Sequence, residues 1–222
     1  MWVQGQDRIQ EIVQEMEGGK LSHLPEVEYP KGFLSQLGMI PSSYLSYFYA
    51  PDRMMEDLQE APKTRAEVVQ EIEHDLFALY RDPQVDTLPE LLKKRGGAWY
   101  SRLAVQVIHA LRSDEPQTLI VNVANQGTIT ELPADASIEV PCKVSKEGIE
   151  PLPLPSQPDE EIMGLMRQVK AYERLTIESV IEESQRKAYL ALMAHPLVPN
   201  ATEADEMMKQ LKQRGHLFYS AV

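Results

Sequence analysis

Leu119-Ile120-Val121-Asn122-Val123, followed by Asn125-Gln126-Gly127, decides the fold class of this chain. Upstream, the apolar residues recur at helical spacing. Here that spacing stops, and an apolar run rich in β-branched residues reads as a buried strand. Asn125-Gln126-Gly127 supplies the turn that ends it. Beyond the turn, Ile138, Val140 and Cys142 alternate with polar or small residues, which predicts a second strand.

Helical pattern surrounds this pair on both sides. Ile9, Ile12, Val13 and Met16 predict a helix stopped by Gly18-Gly19. After a loop with Pro25 and Pro30, the stretch from Pro41 to Tyr49 predicts a short buried helix. Thr64-Arg65-Ala66-Glu67 reads as a capping box for a helix whose face carries Val69, Ile72, Leu76 and Leu79 as far as Arg81-Asp82-Pro83. Arg95-Gly96-Gly97 reads as a turn, and Leu103, Val107, Ile108 and Leu111 place an amphipathic helix directly after Tyr100. Pro151, Pro153, Pro155 and Pro158 make a stiff connection rather than a domain boundary, because helical pattern resumes at once. Ile162, Met166, Val169, Tyr172, Leu175 and Val180 mark a long helix. Tyr189 to Met193 mark another, ended by His195-Pro196, and Thr202 opens a last one with Ala204, Met207, Met208 and Leu211. The sum is an α+β fold, mainly helical with a small central sheet.

The formal net charge of -12 over 222 residues argues against nucleic acid, which needs clustered Lys and Arg. The single Cys142 forms no intrachain disulfide and, ending an apolar strand pattern, reads as a core thiol. The first residues turn polar within a few positions, unlike a signal peptide or a membrane span, so the expected compartment is the cytoplasm. His23, His74, His109, His195 and His216 lack ligand spacing and predict no metal site.

The residues that carry chemistry gather around the glycine pair. Tyr100 opens a helix, and its spacing alone favours a packing residue over a base. Gly96 and Gly97 fit either a close approach to a ligand or an ordinary loop. Arg95 fits an anion contact, an orienting group or a surface cation. Asn122 and Asn125 stand at a strand end and a turn, where a site could be, although Asn in Asn125's place is more often a plain turn residue.

A set of ordered stretches adds a family resemblance to these readings. They are Leu37-Gly38-Met39-Ile40-Pro41-Ser42-Ser43-Tyr44-Leu45, Thr64-Arg65-Ala66-Glu67-Val68-Val69, Arg95-Gly96-Gly97-Ala98-Trp99-Tyr100-Ser101 and Ile120-Val121-Asn122-Val123-Ala124-Asn125-Gln126-Gly127. Glu139-Val140-Pro141-Cys142, Val169-Lys170-Ala171-Tyr172-Glu173-Arg174-Leu175 and Ala191-Leu192-Met193-Ala194-His195-Pro196-Leu197 follow in order. Together they resemble the C-terminal substrate and oligomerisation domain of the family 4 glycosidases, over residues 1–222. The resemblance implies a fold like that domain and the related lactate and malate dehydrogenases. It also implies hydrolysis of O-glycosidic bonds by oxidation and elimination, with NAD and manganese as cofactors. Tyr100 holds the position of the family's base, and Arg95, Gly96, Gly97, Asn122 and Asn125 are the expected substrate residues. Where the family commonly has a second Asn before its glycine, this chain has Gln126.

The resemblance implies a phosphorylated disaccharide or glucoside as substrate. Arg95 points to the 6-phospho-β-glucosidase branch, since the α-specific branch tends to carry Asp there. A homo-oligomer is expected. The family's Gly-rich NAD-binding unit and metal-binding Cys and His have no counterpart in this sequence, so neither NAD nor manganese is expected to bind this chain by itself. A separate NAD-binding chain, or a non-catalytic truncated remnant, are the competing expectations.

Overall fold

The computed structural model describes residues 2–3, 6–17, 29–95 and 100–215. The Gly18-Gly19 stop, His23, Pro25, Gly96, Gly97, Ala98, Trp99 and His216 lie outside the described residues. The chain divides into two compact units, Met1–Arg65 and Ala66–Val222.

The first unit begins with a two-stranded antiparallel pair, β1 (Trp2–Val3) and β2 (Gln6–Asp7). Helix α1 (Ile9–Glu17) follows, with Val13 buried as its periodicity predicts. Gly32 and Gly38 flank α2 (Phe33–Leu37) at φ of 83° and 70°, left-handed positions that favour glycine. A 3-10 turn at Ser43–Leu45 runs into α3 (Ser46–Tyr49).

The expectation of a buried helix over Pro41 to Tyr49 needs correction. Tyr44 is 82% exposed, Tyr47 and Phe48 are also exposed, and Ser46 is the buried residue of α3. A single turn cannot gather so many aromatics on one face. Tyr49 joins a ring cluster, 5.3 Å from Phe33, which in turn stacks on Tyr29 at 4.8 Å, and the half-exposed Phe48 packs edge-on against Tyr49 at 5.0 Å. Helix α4 (Pro51–Glu60) is an element the sequence analysis does not predict; Pro51 sits at its start, where its missing N–H costs nothing.

The second unit holds the core. Helix α5 (Arg65–Tyr80) starts directly after Thr64 and buries Ile72 and Leu76. The short α6 (Leu91–Arg95) buries none of its side chains, and α7 runs from Tyr100 to Ala110. Then the sheet forms in the order β3 (Gln117–Ala124), β4 (Ser137–Ser145), β5 (Gly148–Pro151), antiparallel throughout. Strand β3 pairs with β4 in the register Val121 with Val140 and Asn122 with Glu139.

One face of this sheet carries the core. Ile138, Val140, Cys142 and Val144 alternate along β4 and meet Ala110, Ile129, Leu132 and Met163. From β3, Leu119, Val121 and Val123 pack against that cluster. Strand β3 is therefore half-buried rather than fully buried as its unbroken apolar run predicts: Ile120, on the opposite face, is 58% exposed. Helix α8 (Glu160–Ile181) lays Met163 into the core and turns back as α9 (Gln185–Ala194). The hairpin is locked by Lys187, which donates to Glu178 at 2.6 Å and to Glu182 at 2.5 Å. Asn200 caps α10 (Ala201–Gln213) by accepting from the Glu203 N–H. Among the described residues no helix is long and apolar enough to cross a membrane.

Candidate active site

Tyr100 occupies the first position of α7 and is 77% exposed. The other end of that helix is what fixes it: Ala110 is fully buried against the sheet, with Leu111 beside it. At 1.5 Å per residue, Tyr100 projects about 15 Å beyond that anchor. The helix thus presents a phenol to solvent from a rigid support. Ile108 and Val105 on the same helix are also exposed, so the expected amphipathic face is only partly covered within this chain.

Arg95 is the last residue of α6, and its guanidinium reaches back to α5. Its Nε donates to Glu73 Oε1 at 3.1 Å and its Nη2 to the same oxygen at 2.8 Å. Sequence reading gave Glu73 no role, since nothing local marks a pairing across 22 residues. Gly96 and Gly97, between Arg95 and Tyr100 in sequence, lie outside the described residues.

The two asparagines part company. Asn122 lies on the outer face of β3, exposed, across from Glu139. That is the face opposite the one against which Ala110 packs. Asn125 is fully buried. Its Nδ2 shares two hydrogens among the carbonyls of Ile129, Leu132 and Pro133, at 2.9, 2.9 and 3.1 Å. Its Oδ1 accepts from the Ile129 N–H at 2.7 Å. Both ends of the amide are therefore spent on the 125–136 loop, so its effect on any ligand is exerted through the loop. Gln126, the residue that replaces the second Asn, has φ of 44°, in the left-handed region, and Gly127 follows at 91°.

That loop is held from outside as well. Gln157, in the proline-rich connection, accepts from the Thr130 N–H at 3.0 Å and donates to the Thr128 carbonyl at 3.1 Å. Arg174 on α8 donates to both oxygens of Asp135, at 2.5 and 2.6 Å, and Arg167 pairs with Glu131. A cleft of about 350 Å³ lies beside this clamp, lined by Pro133, Asp135, Lys170, Glu173, Arg174 and Ile177 among others. Its cations are paired, Arg174 with Asp135 and Lys170 with Glu173.

Among the described residues no three His, Cys, Asp or Glu side chains converge into a set that would hold a metal ion. A dinucleotide pyrophosphate is cradled where a parallel strand passes through a Gly-rich turn into a helix. The described sheets are antiparallel, so these residues do not fit that group either.

Comparison with known proteins places this geometry. Residues 1–198 match the model of the family 4 glycosyl hydrolase C-terminal domain. A probable 6-phospho-beta-glucosidase of Bacillus subtilis is 35% identical over 194 residues, 86% of this chain and 44% of that protein. The 6-phospho-beta-glucosidase BglT of Thermotoga maritima is 33% identical over 211 residues, 95% of this chain and 50% of that protein. The solved structure of the Thermotoga maritima 6-phospho-beta glucosidase with manganese, NAD+ and glucose-6-phosphate superposes with a TM-score of 0.83 at 32% identity. It covers 97% of this chain and 51% of that one. The chain thus spans about half the length of the relatives it matches.

Proposed function

The chain belongs to family 4 of the glycosyl hydrolases, of which it carries the C-terminal domain, and on that footing we propose that it is the substrate-binding portion of a hydrolase acting on a 6-phospho-β-glucoside. The observation that carries the reading is Tyr100, set out in solvent at the start of α7 and preceded by Arg95 at the end of α6. A base that takes a proton from a sugar carbon must be reachable and held at a fixed point. Tyr100 meets both needs.

In this reading the reaction is an NAD-dependent oxidation and elimination, and Tyr100 takes the proton at C2 of the sugar. Arg95 contacts the substrate's anionic group, since a guanidinium is suited to phosphate. Gly96 and Gly97 let the backbone come close, Asn122 contributes an exposed amide, and Asn125 holds its loop in shape. NAD supplies the hydride acceptor and manganese the Lewis acid when both are bound. The described residues of this chain fit neither group, which supports an NAD-binding half, on the same or a separate chain, as the place of both. Calorimetry on the 222-residue chain is expected to show no saturable NAD binding. Exposed apolar residues such as Ile108 and Ile120 support assembly with further chains. These are a second copy of itself and, where encoded separately, an NAD-binding chain.

The test supplies an NAD-binding half by fusion or co-expression. The complex should cleave a 6-phospho-β-glucoside only with NAD and manganese, and should exchange the C2 hydrogen with deuterated solvent. Tyr100→Phe should reduce that exchange by about 10²–10⁴-fold. Full exchange in the Phe variant would remove Tyr100 from the reaction. Preference for an α-linked substrate would reject only the branch assignment.

A further inference from the structure

We propose that Glu73 is a positioning residue for Arg95, holding its guanidinium ready for the phosphate of a sugar phosphate. The proposal rests on the reading of Arg95 as a substrate residue. Two donors of Arg95, Nε and Nη2, converge on one oxygen of Glu73. Two contacts at one point fix both the reach and the plane of the guanidinium, which a single bond would leave to swing.

The support under the two partners is unequal, and this gives the pair its direction. Glu73 stands in the body of the long α5, next to buried Ile72 and less than one turn from buried Leu76. Arg95 ends α6, a helix of five residues with none buried. Through Glu73 the guanidinium is thus tied to the more firmly packed α5. An arginine that grips an anion gives up rotamer freedom, and a bond already made to a fixed carboxylate removes part of that cost. The side chains are 46% and 39% exposed, so solvent screens the pair and its effect on binding is moderate.

The test uses the whole 222-residue chain, labelled with nitrogen-15, and glucose 6-phosphate as the probe. The Arg95 Nε–H resonance is expected to be slowed in exchange by the Glu73 bond and to shift as the sugar phosphate is added. Glu73→Gln should keep the backbone spectrum, lose that slowing, and bind about three- to fivefold more weakly. Glu73→Asp should recover part of both. If Glu73→Gln binds as tightly as the parent while Arg95→Gln binds more weakly, the positioning role is wrong and the substrate role of Arg95 stands. If Arg95→Gln binds like the parent, or the parent shows no shift, the substrate role fails and the positioning role falls with it.

Discussion

Asn125 and Ile129 hold each other from both sides. The Ile129 N–H donates to the Asn125 side-chain oxygen at 2.7 Å, and Asn125 Nδ2 donates back to the Ile129 carbonyl at 2.9 Å. The same Nδ2 also serves the carbonyls of Leu132 and Pro133. Asn125→Ala would leave these buried groups without a partner, so it should destabilise the protein by about 2–4 kcal/mol in urea unfolding. Asn125→Asp should be worse, because an acceptor would then face three carbonyl oxygens. A loss under about 0.5 kcal/mol would show that water replaces the amide without difficulty.

Gln126 offers the opposite sign. At φ of 44° it occupies a conformation that side chains other than Asn and Gly adopt with strain. Gln126→Asn should therefore stabilise the chain, by about 0.5–1 kcal/mol, and Gln126→Gly by less, since glycine also frees the unfolded chain. Equal stability of all three would mean that the loop sets this angle at no cost.

Residue by residue, what the sequence made legible follows from how local each signal is. Strand β4 was readable because Ile138, Val140 and Cys142 recur with period two, and all three do face the core. Strand β5 was not, since four residues at Gly148–Pro151 carry too short a pattern. Helix α4 was not, since it is mostly charged and polar and none of its side chains is buried. Tyr100 could be placed at a helix start from the spacing after it. Its exposure could not, because burial depends on what covers α7 in space. The partner of Arg95 and the four bonds of Asn125 are likewise products of the folded chain.

His195 gives the turn after α9 a dependence on pH. Its ring packs edge-on against Tyr172 at 4.4 Å, and its Nδ1 accepts from the Leu197 N–H at 3.1 Å. Burial pushes its titration below the ordinary value of about 6.5. As pH falls the unfolded chain takes up the proton first, so stability present above about 6.5 is lost as pH drops through that value to the lower folded one. His195→Asn keeps an acceptor for Leu197 and does not titrate. It should lose less stability than the parent between about pH 8 and pH 5; an equal loss in both would assign the effect to carboxylates elsewhere.

Cys142 provides a direct probe of the core that Asn125 closes. Its thiol is fully buried, its Sγ lies 3.4 Å from the Val140 carbonyl, and burial raises its titration above the ordinary thiol range. A thiol reagent needs a reachable thiolate, so the native protein should react only through openings that expose this cluster. Its rate should then track the population of the open form while reclosing is fast. Ile129 and Leu132, both bonded through their backbones to Asn125, sit in the same cluster as Cys142. A destabilisation of about 3 kcal/mol in Asn125→Ala should therefore speed labelling by about a hundredfold. Tyr100→Phe, at a residue 77% exposed, should leave the rate unchanged. Labelling of the parent at the rate of the unfolded chain would show that Cys142 is reached without opening the sheet, and the link to Asn125 would fail.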